Sequence, residues 1–174
     1  MPIRIRTNTG RMLTVFLTPL LLGAIGPRAN LESRLLAAHN RERASLGVPP
    51  LQWDEHLATG AKVWANHLAT EKLFQHSLRE SGKQPIGENI WGGTPGRFSP
   101  ERMVGLWIAE KENFKDGVFP ASSTTGRVED VSHYTQVVWR DSERVGCAIS
   151  SGSREEILVC RYSRAGNVMG KAPF

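Results

Sequence analysis

Leu31, Leu35, Ala38 and Leu46 recur at helical spacing, so residues 31–46 are predicted as a helix, and Gly47 suits its end. The stretch VPPLQW at 48–53 breaks the pattern, because a proline pair cannot continue a helix. Asp54 is a good N-cap for a second helix, along which Leu57, Ala61, Trp64 and Leu68 form an apolar stripe. Residues 74–100 lose all periodicity. They are punctuated by glycine and proline, and a loop of that length in a small domain is often functional. Ser99 and Pro100 then begin a third helix as N-cap and first helical residue, with Met103, Leu106, Trp107 and Phe114 on one face. Residues 115–130 are polar. Three apolar runs follow, at 133–139, 146–150 and 157–162, and each is predicted as a strand. Helices first and strands last predict an α/β sandwich whose sheet is covered by helices.

Two polar residues stand out against this pattern. Glu110 lies on the apolar face of the third helix. A carboxylate there must be hydrogen-bonded, paired with a cation or open to water, or else it merely reaches solvent from the helix edge. His133 sits at the entrance of the first predicted strand, where ligand groups often lie in α/β folds and where structural histidines are commoner still. The two cysteines flank a segment that reads strand, polar turn around Gly152, strand. Antiparallel pairing would let Cys147 and Cys160 bridge; two buried free thiols are the alternative.

The amino terminus decides between these. Residues 1–29 begin with arginines, continue through an apolar run at 12–26 and end in small residues, which is the layout of a secretory signal. The run is too short and too interrupted, at Thr14, Thr18 and Pro19, for a comfortable membrane span. Cleavage after Ala24 or after Ala29 is compatible with it. Export to the outside or to a periplasm favours a disulfide over free thiols. The leader also changes the meaning of the charge. The formal net charge of +5 falls to about +1 without Arg4, Arg6, Arg11 and Arg28. No basic stripe interleaves with aromatics, so a nucleic-acid partner is not expected.

Read in order, the segments HNRERASLGVPPLQWDEHLA, QHS at 75–77, GEN at 87–89, WIAEKENF at 107–114, SHYTQVVWRDS at 132–142 and LVCRYSRAGNVMG at 158–170 resemble the CAP superfamily. That superfamily comprises cysteine-rich secretory proteins, insect-venom antigens and plant pathogenesis-related proteins of group one. The likeness runs from about residue 31 to the end, so residues 30–174 are expected to form one CAP domain. The resemblance implies a three-layer α-β-α sandwich with a mixed, mainly antiparallel sheet. It implies a cavity containing His76, Glu88, Glu110 and His133, able to hold Zn2+ or another divalent metal, and a bridge between Cys147 and Cys160. Two departures stand: Ser132 precedes His133 where the family usually has glycine, and only one disulfide can form.

The resemblance further implies binding of sterols or other small lipids, for which Phe114, Val118 and Phe119 are the apolar candidates. No catalytic residue is assigned, because no nucleophile–base pair with oxyanion donors is evident. A metal-dependent hydrolase or peptidase using Glu88 or Glu110 as base, and an exported protein-interaction module, are the other readings.

Overall fold

Alternation along the last two strands sets the layers. In the computed structural model, which describes residues 30–78, 82 and 84–174, the chain runs α1 (Leu31–Ser45), β1 (Gln52–Trp53), α2 (Glu55–Glu71), β2 (Gly87–Gly93), α3 (Pro100–Ala109), α4 (Ser132–Val137), β3 (Arg144–Ser151) and β4 (Glu156–Ser163). Short 3-10 helices at Glu110–Asn113 and Val128–Asp130 lie between α3 and α4. The expected leader, residues 1–29, lies outside the described residues.

The sheet order is β1-β3-β4-β2. Only β1 and β3 are parallel; the other pairs are antiparallel. Ile157 and Val159 of β4 point to one face and pack with Ala61, Ala65 and Leu68 of α2. Leu158, Cys160 and Tyr162 point to the other face, toward Leu35 of α1, Met103 and Trp107 of α3, and Tyr134 and Val137 of α4. This is the expected three-layer sandwich, with α2 alone on one side and α1, α3 and α4 on the other.

The expected caps are in place. The Asp54 carboxylate accepts from the Leu57 N–H at 2.9 Å, and Ser99 Oγ accepts from the Arg102 N–H at 3.2 Å. Cys147 and Cys160 are directly opposite in the β3–β4 register and are disulfide-bonded. Gly146 is what lets α2 lie so close to β3: a side-chain carbon there would collide with the backbone of Asp54, Leu57 and Ala58.

Two expectations need correction. The run at 133–139 was predicted as a strand, yet Ser132–Val137 is helical. Its Val, Thr and Tyr content reads as strand, but Tyr134, Thr135, Gln136 and Val137 are all buried, and a short segment buried all round has no diagnostic period. Tertiary capping by Glu110, described below, overrides the local preference. Conversely, the loop predicted over 74–100 contains β2. Its sequence GENIWGG has little strand propensity. The glycines are there because side-chain carbons at 87, 92 and 93 would strike Gln136, Glu155 and Trp91 respectively.

Candidate functional site

Glu110 follows α3 as the first residue of a 3-10 turn, and its misfit on an apolar face is resolved by α4. One carboxylate oxygen accepts the backbone N–H groups of His133 at 2.9 Å and Tyr134 at 3.1 Å. The other accepts from His133 Nδ1 at 2.6 Å. A single carboxylate therefore caps the start of α4 and orients the imidazole. The His133 ring also stacks on Trp107, with planes 9° apart and centroids at 6.3 Å.

Glu88 makes the second pair. It projects from β2 on the α2 side and is nearly buried. Its oxygens accept from His76 Nδ1 at 3.0 Å, Ser77 N–H at 2.9 Å, Ser77 Oγ at 2.8 Å and Arg161 Nε at 3.2 Å. Burial pushes the carboxyl pKa up. The hydrogen bonds from His76 and Ser77, with the Arg161 charge, outweigh that, and the net shift is downward. In both pairs Nδ1 carries the proton toward a carboxylate, so the Nε2 lone pair is the free one. Neither Nε2 has a partner among the described residues.

The four residues are thus brought together as two pairs. Glu88 and its neighbour Asn89 leave β2 on opposite faces. The Asn89 amide donates to the His133 carbonyl oxygen at 3.1 Å, so the His133 pair lies across the strand from the His76 pair. β2 is an edge strand of the sheet. No hydrogen bond joins the pairs, and no three His, Cys, Asp or Glu side chains are grouped to hold a metal, among the described residues.

Behind the His133 pair lies a buried chain of polar groups. His39 Nδ1 donates to the Leu35 carbonyl at 2.8 Å, and its Nε2 accepts from the Tyr162 hydroxyl at 2.8 Å. The Asn89 amide donates to the Tyr162 oxygen at 3.4 Å. His39, Asn89, Tyr162 and Arg161 were not singled out from sequence. The signal for Arg161 was register: once GEN pairs with β4, Glu88 falls opposite it.

The lipid candidates separate. Phe114 packs inward, edge-on to Tyr134 and against Phe174. Val118 is exposed, and Phe119 is half-buried. Residues 118–121 are laced to the C-terminal segment, since Phe119 N–H donates to Lys171 O and Gly170 N–H to Phe119 O, both at 2.8 Å. Val168 and Met169, just before that segment, are exposed as Val118 is. In the same loop Ser122 Oγ is fully buried and has no hydrogen-bond partner among the described residues.

Comparison with known proteins agrees with this architecture. Residues 36–162 match the family described as CAP, cysteine-rich secretory protein family. The chain is 36% identical to pathogenesis-related protein 1C of Nicotiana tabacum over 146 residues, covering 83% of this chain and 82% of the relative. It is 37% identical to pathogenesis-related protein 1 of Arabidopsis thaliana over 138 residues, covering 79% and 78%. Among solved structures, NaASP2 with Zn2+ superposes with a TM-score of 0.69 at 23% identity, covering 83% of this chain and 84% of that one. BmVAL-1 gives 0.68 at 23% identity, covering 83% and 81%. The matched length, the sandwich and the relatives agree, and the chain belongs to the CAP, or cysteine-rich secretory protein, family.

Proposed function

We propose that this chain is an exported, non-enzymatic binding protein whose ligand is a sterol or another small lipid, and whose two histidines take up a divalent cation. The observation that carries the reading is the saturation of both glutamates. Glu110 spends one oxygen on two backbone N–H groups and the other on imidazole, while Glu88 spends one on imidazole and the Ser77 N–H and the other on Ser77 Oγ and Arg161. A carboxylate so engaged is an orienting group, and a poor general base. The disulfide, the secretory family and the leader support export, and no helix among the described residues is long and apolar enough to cross a membrane.

The donor set suits a divalent cation in a limited way. The carboxylates hold the rings by Nδ1, as they do for metal-bound histidines generally, and leave His76 Nε2 and His133 Nε2 as the ligands. A cation held there polarises bound water; the chain supplies two imidazoles and their orientation. NaASP2, a relative in fold, was solved with Zn2+. Zn2+ titrated calorimetrically should bind, with affinity falling on acidification because only neutral imidazole ligates. His76→Ala and His133→Ala should each weaken it about tenfold or more. Undiminished binding by either variant contradicts the assignment.

The lipid reading rests on the 118–121 and 168–171 segments. Val118 and Met169 offer exposed apolar surface, and in the same loop the buried Ser122 Oγ lacks a hydrogen-bond partner among the described residues. The double variant Val118→Asn/Met169→Asn should lose sterol or fatty-acid uptake with an unchanged melting temperature. Phe114 is unsuited to this test, because it packs between Tyr134 and Phe174.

A further inference from the structure

A second cleft lies away from both histidine pairs, where α1 turns into β1 and α4 leads into β3. It measures about 410 Å³, and Arg140, Arg144 and Arg164 line it beside Pro49 and Pro50, together with the acidic residues Asp141 and Glu143. Three guanidinium groups against two carboxylates leave that small surface with a surplus of positive charge. Their local neutralisation is weak. Arg144 reaches Asp54 at 3.4 Å and Arg164 reaches Glu143 at 3.4 Å, both as exposed, single-contact pairs. Such pairs contribute little and exchange readily for a better acceptor. Asp141 leans toward Lys171, at 4.0 Å. Arg140 makes no ion pair among the described residues.

A fourth guanidinium lies directly behind the wall. Arg43 is fully buried, and all its hydrogen bonds go to carbonyl oxygens: Pro49 at 2.7 Å, Val137 at 3.0 Å, Trp139 at 2.8 Å and Ser142 at 3.0 Å. The Arg43 charge has no carboxylate partner among the described residues. In a low-dielectric interior the field of a buried cation is screened least, and two of the residues that hold Arg43, Pro49 and Ser142, also line the cleft. Arg140 is close enough that its charge adds to burial, the larger cause, in lowering the Arg43 pKa.

We infer that this arginine cleft is a binding site for a small polar molecule carrying oxyanion groups, about the size of a mono- or disaccharide. Planar guanidinium groups match phosphate, sulfate and carboxylate oxygens in pairs. The polar walls and the paired prolines exclude the lipid class proposed for the other site. Neither histidine pair takes part, so the inference stands or falls independently of the proposed function.

The test is calorimetric titration of the full exported chain with inositol hexakisphosphate, sucrose octasulfate and trigalacturonate, with sucrose as the neutral control. At least one anion should bind at low ionic strength, weaken as salt is raised and show which oxyanion the cleft prefers, while sucrose should not bind. Arg140→Gln/Arg164→Gln should reduce affinity by roughly tenfold or more. Both side chains are exposed, so the melting temperature should hold. Arg154→Gln, in the turn at the far end of β3, should bind as the wild type does. Three outcomes would overturn the proposal: no binding of any anion, unchanged binding by the double variant, or an equal loss in Arg154→Gln.

Discussion

Replacing Arg43 by methionine should destabilise the protein by about 3–5 kcal/mol, measured as a lower urea midpoint with an unchanged slope. The methionine fills much of the volume but donates nothing. Carbonyl oxygens of Pro49, Val137 and Ser142 then lose the Arg43 donor inside the fold, and that of Trp139 keeps only the Ser142 N–H, at 3.1 Å. Each orphaned acceptor costs on the order of 1 kcal/mol or more, partly relieved by relaxation. These four carbonyls come from the turn after α1, the end of α4 and the approach to β3, so one side chain ties together segments distant in sequence. Arg43→Lys should recover part of the loss, since an ammonium donates but cannot span four acceptors. A loss under about 1 kcal/mol in the methionine variant would show that the carbonyls find other partners.

Stability should fall by about 2 kcal/mol between pH 6.5 and 5 because of His39. Burial, the main cause, depresses its pKa from 6.5 to about 4; the Leu35 carbonyl pulls it back slightly and the nearby Arg43 charge lowers it further. The unfolded chain therefore takes up a proton in this window while the native state does not. That favours unfolding progressively as pH drops toward 4. Glu88, whose pKa is also depressed, loses its stabilising effect only below the ordinary carboxylate range, so the two contributions separate. His39→Gln should start less stable at neutral pH, yet show a flatter dependence from about pH 7 to 5. Parallel curves for variant and wild type would contradict the assignment.

The helical stripes of α1, α2 and α3 were legible because each turns an apolar face into the core. The β3–β4 hairpin was legible from its alternation and its cysteines. The helix α4 was not, since its N-terminus is capped by Glu110 from a residue 23 positions earlier in the chain. Nor was β2, two of whose glycines answer to Gln136 and Glu155 elsewhere in the fold and the third to Trp91 of its own strand. At the candidate site, the misfit of Glu110 was readable from helical phase. Its partner was readable only through family resemblance, and the roles of Asn89, Arg161 and Tyr162 depend on strand register. Arg43 and His39 lie on α1 among polar neighbours. Their spacing of four and eight from Leu35 puts them on the apolar stripe of α1, but their partners, carbonyls and a tyrosine hydroxyl, are supplied by the fold.

Native mass spectrometry of the exported protein tests the binding reading most directly. The account predicts a fraction of molecules carrying a lipid-sized mass excess, removed by organic extraction, restored by adding sterol or fatty acid, and absent from Val118→Asn/Met169→Asn. Bare polypeptide that stays bare when sterols and fatty acids are added would contradict it.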